Sequence, residues 1–99
     1  MNEIELETEL KSRSKAPRVT LEHIESVIVA EQYYVFPNST LTVCALTLRN
    51  GFIVTGESAS ASADNFDKEI GRRIARDNAK NKIWMLEGYL LRDQLSKTT

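Results

Sequence analysis

Apolar residues follow two different spacings along the chain, and each spacing predicts a different type of element. Between Leu21 and Ile28 they recur every three or four positions, which gives a helix one apolar face. We therefore predict a short helix over about 20–30, with Thr20 as its N-cap. Residues 33–36 are instead aromatic or β-branched and precede a Pro-Asn-Ser turn, which predicts a strand.

Two further strands are predicted on either side of an Asn-Gly pair. Residues 40–48 and 52–57 are rich in apolar and β-branched side chains. Asn50-Gly51 between them favours a type I′ hairpin turn, because both residue types tolerate positive φ. We therefore expect the second strand to return antiparallel to the first.

The length of this turn decides which side chains share a face of the sheet. With a two-residue turn, Ala45 and Thr47 lie on one face, whereas Ile53 and Thr55 lie on the other. A bulge in either strand would change part of this assignment.

The last third of the chain is predicted to form one long helix, from about 65 to 95, with Asp64 as its N-cap. Its apolar residues change side along the way, since those up to Ile74 lie nearly opposite to those from Ala79 onward. Either the helix bends or breaks near residue 77, or one half packs on the chain's own sheet and the other on a second subunit. We favour the second explanation, because a chain of 99 residues buries little surface alone.

The N-terminal segment, 1–16, is distinguished by its charge. Four glutamates occupy every second position, with few apolar residues among them, and three basic residues follow. Such a segment is typical of a flexible charged arm, or of an arm used in oligomerisation. Residues 17–99 then form a single domain of α+β class, with a short N-terminal helix, a small antiparallel β-sheet with an Asn-Gly hairpin and a long C-terminal helix, and we expect it to be oligomeric.

Length and charge narrow the possible functions. Ninety-nine residues supply one domain at most. The net charge of −1 gives no global positive field, so we expect no binding to polymeric nucleic acid, and this argues against a small DNA-binding accessory protein. No apolar run approaches the roughly 20 residues that span a bilayer, so we expect no membrane partner. The chain begins without a signal peptide pattern and has one cysteine, which predicts a cytoplasmic protein.

The residues that commonly carry catalysis are scarce. A zinc site needs three or four ligands, and the chain offers one histidine and one cysteine, so we expect no metal, no cofactor and no enzymatic activity. His23 is most simply an ordinary surface or packed residue. Cys44 lies in a β-rich apolar run and is most simply a small core residue.

One cationic stripe remains on the long helix. Arg72, Arg76 and Lys80 stand at positions i, i+4 and i+8, so they share one side of a rigid helix. Guanidinium groups at this spacing can bind phosphates or stack on bases. The alternative is a solvated face whose charges pair with Glu69 and Asp77.

Several motifs resemble a family of small tailed-phage proteins long described as having unknown function. The resemblance spans about residues 17–95. Its most specific elements are the Asn-Gly-Phe turn, the Asn-Phe-Asp helix start and the helix ending: Asn50-Gly51-Phe52, Asn65-Phe66-Asp67 and Ile83-Trp84-Met85-Leu86-Glu87-Gly88-Tyr89-Leu90-Leu91.

This family is similar to the Thoeris anti-defence proteins of the first type, which act as sponges in the infected bacterial host. The resemblance implies an antiparallel sheet backed by C-terminal helices and assembled as a homodimer or homohexamer. It also implies binding, without cleavage, of cyclic ADP-ribose isomers and in some members of cyclic di- or trinucleotides. The implied ligand-binding residues are a pair of arginines and four hairpin positions: Arg72, Arg76, Ala45, Thr47, Ile53 and Thr55.

The resemblance sets a condition on the hairpin. If Ala45, Thr47, Ile53 and Thr55 all contact one ligand, the turn must be longer than two residues or bulged. The rival hypothesis is a phage protein that binds a host protein through its C-terminal helix and inhibits or redirects it.

Overall fold

A long helix packs on one face of a three-stranded antiparallel sheet and leaves the other face open. The computed structural model describes residues 2–13 and 16–97, so residues 1, 14, 15, 98 and 99 of the predicted arm and domain lie outside the described residues. The strand order is β1-β2-β3, which confirms the predicted α+β class. The elements are α1 (Glu3–Arg13), α2 (Leu21–Ser26), β1 (Ile28–Val35), β2 (Leu41–Leu48), β3 (Ile53–Ala59), a 3₁₀ turn (Ala63–Asn65) and α3 (Lys68–Lys97).

The core lies between the sheet and the first half of α3. Side chains of β2 alternate strictly between buried and half-buried positions, because successive residues of a strand point to opposite faces. The helix meets the buried set with two alanines and one isoleucine, while α2 closes one end. The buried apolar residues are Ile24, Val27, Cys44, Leu46, Leu48, Val54, Ala75, Ala79 and Ile83.

Small residues let the helix approach the sheet closely. A Cβ atom added to Gly56 would lie 2.8 Å from Cα of Ala79 and would also overlap the backbone of Ala75. Real Cβ atoms do not come so close to backbone, so this position of β3 accepts only glycine. This contact fixes the distance between α3 and the sheet.

The first helix of the folded domain is shorter than predicted. Thr20 is its N-cap as expected, since the Thr20 hydroxyl accepts the His23 N–H at 3.0 Å. The helix ends at Ser26, and β1 begins at Ile28. The prediction of helix up to about residue 30 was wrong because Ile28 and Val29 are β-branched and belong to β1, while Val27 caps the helix.

The turn between β2 and β3 is longer than the predicted type I′ turn. The Gly51 N–H donates to the Leu48 carbonyl at 2.8 Å, and the Leu48 N–H donates to the Phe52 carbonyl at 2.8 Å. Gly51 has a φ of 89°, whereas Asn50 is not among the described residues with positive φ. Asn50 instead accepts the Phe52 N–H with its side chain at 3.0 Å. Three residues therefore form the turn, and the two-residue prediction was wrong.

This longer turn changes the register of the hairpin. Thr47 pairs with Ile53, and Ala45 pairs with Thr55. Directly paired residues point to the same side of an antiparallel sheet. The four side chains consequently share one face, which corrects the split between two faces and meets the condition that the resemblance set.

Helix α3 starts later than predicted. Its first turn is capped by Asp67, whose carboxylate accepts the N–H groups of Glu69 and Ile70 at 3.0 Å each. The predicted N-cap, Asp64, lies in the 3₁₀ turn instead, and Phe66 between the two has extended backbone. The extended residue separates the two segments, so the helix cannot begin before it.

Helix α3 is continuous from Lys68 to Lys97, which excludes the less favoured alternative of a break near residue 77. Ala79 and Ile83 pack against the sheet, whereas Ile70 and Ile74 are each 48% exposed. The change of apolar side therefore leaves a second apolar surface on the helix. Its contact with a second subunit stays a prediction.

The segment predicted as a charged arm contains α1. This helix has no buried residue. Its Glu7 carboxylate pairs with the Arg18 guanidinium at 2.6 Å and accepts the N–H of Leu21 at the start of α2. Helix α1 is thus attached to the domain mainly through charge.

Candidate ligand-binding site

The three cations of α3 lie beside β1 and α2, along one edge of the covered side of the sheet. The guanidinium carbon of Arg72 is 5.3 Å from the centroid of the Tyr33 ring, a cation–π distance. One turn further, Nε of Arg76 is 2.8 Å from a carboxylate oxygen of Glu31. Lys80 follows on the next turn. The predicted stripe therefore exists, and the first two of its side chains contact β1.

Arg76 is held by two carboxylates. Its two terminal nitrogens lie 3.2 and 3.1 Å from the two oxygens of Glu25, and its Nε contacts Glu31. The hydrogen bonds that Arg76 donates to Glu25 and Glu31 raise the pKa of Arg76, and those to Glu25 lower the pKa of Glu25. The predicted alternative partners, Glu69 and Asp77, do not appear among the ion pairs of the described residues.

Lys80 is the buried member of the stripe. The residue is only 5% exposed, although its side chain is charged. Its ammonium lies 3.0 Å from a Glu3 oxygen and 3.5 Å from a Glu25 oxygen. Buried charges in proteins are normally paired in this way. Lys80 is thus enclosed by acids from α1 and α2.

The ring that contacts Arg72 stays neutral. Burial, together with the neighbouring Cys44 and Glu31, raises the pKa of Tyr33 to about 12. Burial also raises the pKa of the Cys44 thiol, which is fully enclosed. Cys44 is therefore a core residue, as predicted, and does not have the lowered pKa of a reactive thiol.

The open face of the sheet holds the four hairpin positions. Ala45, Thr47 and Thr55 are half-buried, and Ile53 is 54% exposed. Tyr34 pairs with Val43, so its ring belongs to the same face. The Tyr34 ring contacts the Phe36 ring edge to face, with centroids 4.8 Å apart. The open face thus has small side chains at its centre and aromatic side chains at one edge.

The structure does not bring the two predicted groups of site residues together in one subunit. Arg72 and Arg76 contact Tyr33 and Glu31, which project from β1 toward α3. The four hairpin residues project from the opposite side of the same sheet. A single sheet layer therefore separates the arginines from the open face.

Other candidate groups lie apart from the stripe and from the open face. No group of three metal-binding side chains occurs within residues 2–13 and 16–97. The Nε2 atom of His23 on α2 lies 3.4 Å from a carboxylate oxygen of Glu87 on α3. A cleft of about 290 Å³ lies near the hairpin turn between Phe52 and the C-terminal half of α3, where Leu86, Tyr89 and Leu90 line it.

No described helix is both long and apolar enough to cross a membrane.

The sequence did not predict the partners of the stripe. Glu25 and Glu31 precede Arg76 by 51 and 45 residues, and Glu3 precedes Lys80 by 77 residues. Local periodicity carries no information on contacts across such distances. One signal for such partners was available, namely the high number of acids in the N-terminal segment of a nearly neutral chain.

The chain matches the model of the phage protein (N4 Gp49/phage Sf6 gene 66) family. The match covers residues 19–95, from just before α2 to near the end of α3, and so includes the sheet, the open face and the cationic stripe. No curated protein and no solved structure matches the chain. Because the match covers far more than half of the sequence, the chain belongs to the phage protein (N4 Gp49/phage Sf6 gene 66) family.

Proposed function

We propose that this phage protein binds cyclic nucleotide immune signals in the infected host cytoplasm and sequesters them without cleavage. The ligands are cyclic ADP-ribose isomers or cyclic di- or trinucleotides. The proposal rests on the resemblance to the Thoeris anti-defence sponges. The observation that supports it most is the three-residue turn, because it aligns Ala45, Thr47, Ile53 and Thr55 on one face.

The open face suits a flat, partly polar ligand. Two threonine hydroxyls offer hydrogen-bond donors and acceptors, and Ile53 and Ala45 offer apolar contact. None of these side chains is large, so stacking on a base is left to the aromatic edge at Tyr34 and Phe36. The face thus combines apolar contact with a few polar groups, as small-molecule sites generally do.

The arginines supply the charge that phosphates require. Arg72 is exposed, and its guanidinium lies over the Tyr33 ring without a hydrogen bond to any described residue. Arg76 already binds two carboxylates in a bidentate geometry that also suits phosphate oxygens. A phosphate at Arg76 would therefore replace a carboxylate rather than fill an empty position.

The proposal requires a site that two subunits share. Since one sheet layer lies between the arginines and the open face, one ligand can contact both groups only if the open face of one copy meets the α3 edge of another. The homodimer or homohexamer of the proposal satisfies this requirement. It also encloses a ligand that a 99-residue monomer leaves open to water.

Calorimetric titration of the purified protein with cyclic ADP-ribose isomers and cyclic oligonucleotides tests the proposal. We expect binding, recovery of intact ligand after heating, and weaker binding for Arg72→Ala and Ile53→Asp. Matched controls are Arg73→Ala, which removes the same charge next in sequence, and Phe52→Asp. Phe52 is 55% exposed, about as much as Ile53, but lies on the other face. Absence of binding, recovery of a cleaved product, or equal losses in the controls would refute the proposal.

A second candidate function is the binding of a host protein through α3. The observation that favours it is the exposed apolar surface of the C-terminal half, where Met85 and Tyr89 are each 74% exposed. Apolar side chains this exposed often mark protein-binding surfaces. In the same titrations this function predicts no nucleotide binding. It also predicts host-protein binding that Met85→Asp abolishes and Arg72→Ala leaves unchanged.

A further inference from the structure

The cationic stripe ends in a cluster where three other elements contribute acids. Arg76 and Lys80 of α3 meet Glu3 of α1, Glu25 of α2 and Glu31 of β1. The cluster therefore contains two cations and three carboxylates, one negative charge in excess. An additional anion cannot bind to these cations favourably unless one carboxylate leaves.

The three carboxylates differ in how firmly their backbones are held. Glu25 follows the fully buried Ile24 on α2, and Glu31 belongs to a strand paired along its length with β2. Glu3 belongs to α1, which has no buried residue. A shift of the backbone at Glu25 or Glu31 would disturb the core or the sheet, whereas a shift of the backbone at Glu3 disturbs neither. Glu3 is therefore the carboxylate that can move away together with its own helical turn at the least cost.

The packing of α1 agrees with this difference. Its apolar residues Ile4 and Leu6 are 70% and 49% exposed. A cleft of about 350 Å³ remains between the helix and the side chains of Leu21 and Trp84. A helix of 11 residues is also marginal without tertiary contacts. Helix α1 is therefore held mainly by its ion pairs and only weakly by apolar contact.

Two carboxylates attach α1, and they act at different points. Glu3 contacts Lys80 on α3, while Glu7 contacts Arg18 and the N–H of Leu21 beside α2. Burial alone would raise the pKa of Glu7, but these hydrogen bonds lower it. Loss of the Glu3 contact would leave the Glu7 contact in place. The first turn of α1 can thus move while the helix stays attached at its middle.

We propose that Lys80 is an anion-binding residue that Glu3 masks, and that a ligand with a pyrophosphate group displaces Glu3 and releases the first turn of α1. Arg76 and Lys80 lie one helical turn apart on α3 and share one carboxylate, since Arg76 contacts both oxygens of Glu25 and the Lys80 ammonium lies 3.5 Å from one of them. Side chains at this spacing are about 5–6 Å apart at Cβ, which suits adjacent phosphates. This inference rests on the proposed function, because it assigns Lys80 a role in binding the same ligand. Inorganic pyrophosphate nevertheless tests it separately.

Hydrogen exchange of the full chain, with and without inorganic pyrophosphate, provides the test. We expect pyrophosphate to increase amide exchange in the first turn of α1 and not in β2. Glu3→Gln should raise exchange there without ligand and tighten pyrophosphate binding roughly two- to fivefold, as expected for loss of a partly exposed ion pair. The matched control is Glu5→Gln, since Glu5 lies on the same helix and its side chain bonds only to Asn2 among the described contacts.

The outcomes separate this inference from the proposed function. Lys80→Met should abolish the effect of pyrophosphate on α1. If Lys80→Met does not fold, the comparison of Glu3→Gln with Glu5→Gln still tests the inference. Pyrophosphate binding without release of α1, no pyrophosphate binding, or equal affinities of Glu3→Gln and Glu5→Gln would overturn the inference even if cyclic nucleotides bind. Release of α1 by pyrophosphate without cyclic nucleotide binding would support it and refute the proposed function.

Discussion

The two faces of the sheet are built from alternate residues of the same strands, yet they have different constraints. On the covered face, Gly56 lies so close to α3 that an added Cβ would overlap the helix backbone, and Leu46 is completely buried. On the open face, Ala45 and Thr55 are only half-buried. We therefore expect the covered face to constrain the fold more strongly than the open face.

This difference indicates where ligand selectivity can change within a fixed architecture. Substitutions at half-buried strand positions alter contacts with a ligand and leave the core packing intact. Substitutions on the covered face change the position of α3 and, with it, Arg72 and Arg76. Three measurements test this contrast, and they follow in order of decreasing effect.

The largest effect is expected for Gly56→Val. The new side chain would overlap the backbone of α3 at Ala75 and Ala79, which cannot move without separating the helix from the sheet. We expect loss of the folded state, seen by circular dichroism and amide NMR spectra. Gly88→Ala is the control, since an added Cβ there has no heavy atom within 4 Å and should stabilise α3 by about 0.5–1 kcal/mol. A folded Gly56→Val protein would contradict the close approach.

An intermediate effect is expected for Leu46→Ala. Leu46 is completely buried beneath α3, so truncation should lower the free energy of unfolding by about 2–5 kcal/mol. The matched variant Ile53→Ala, on the open face, should lower it by less than about 1 kcal/mol, because Ile53 is already half-exposed. Urea denaturation measures both. Equal losses would mean that a second copy covers the open face under the conditions used.

The smallest effect concerns the charged edge beside the covered face. The pKa of Glu25 is lowered in the folded state, mainly by Arg76, so its stabilising contribution is present above its ordinary value of 4.5 and is lost as the pH falls below it. Since Glu25 is partly exposed, solvent screening limits the contribution to about 1 kcal/mol or less. Glu25→Gln should therefore unfold at a lower temperature at pH 7 and show a weaker decrease toward pH 3. Identical pH profiles for both proteins would contradict this ion pair.

The hairpin illustrates how far the residues alone could be interpreted. Asn50-Gly51 correctly marked a change of chain direction, because few residue pairs tolerate a tight turn so well. The turn has three residues, and within it the Asn50 side chain accepts the Phe52 N–H. Sequence does not distinguish this arrangement from type I′ geometry, and one residue of difference moved Ile53 and Thr55, two of the four hairpin positions, to the other face.

The ends of α2 and α3 show a similar limit. Thr20 was identified as an N-cap because a hydroxyl residue preceded a regular apolar spacing. The start of α3 was placed three residues too early, since both Asp64 and Asp67 offer a capping carboxylate. Only the backbone of Phe66, extended between them, decided which one caps the helix.

By itself, the sequence determined the α+β class, the long C-terminal helix, the burial of Cys44 and the cationic stripe. These features follow from spacing and residue type within one element, which local rules describe well. Only the tertiary structure decided that Arg76 and Lys80 are bound by acids from three other elements, and that the arginines and the open face lie on opposite sides of the sheet. Such arrangements depend on how distant elements pack, and periodicity along the chain contains no record of that packing.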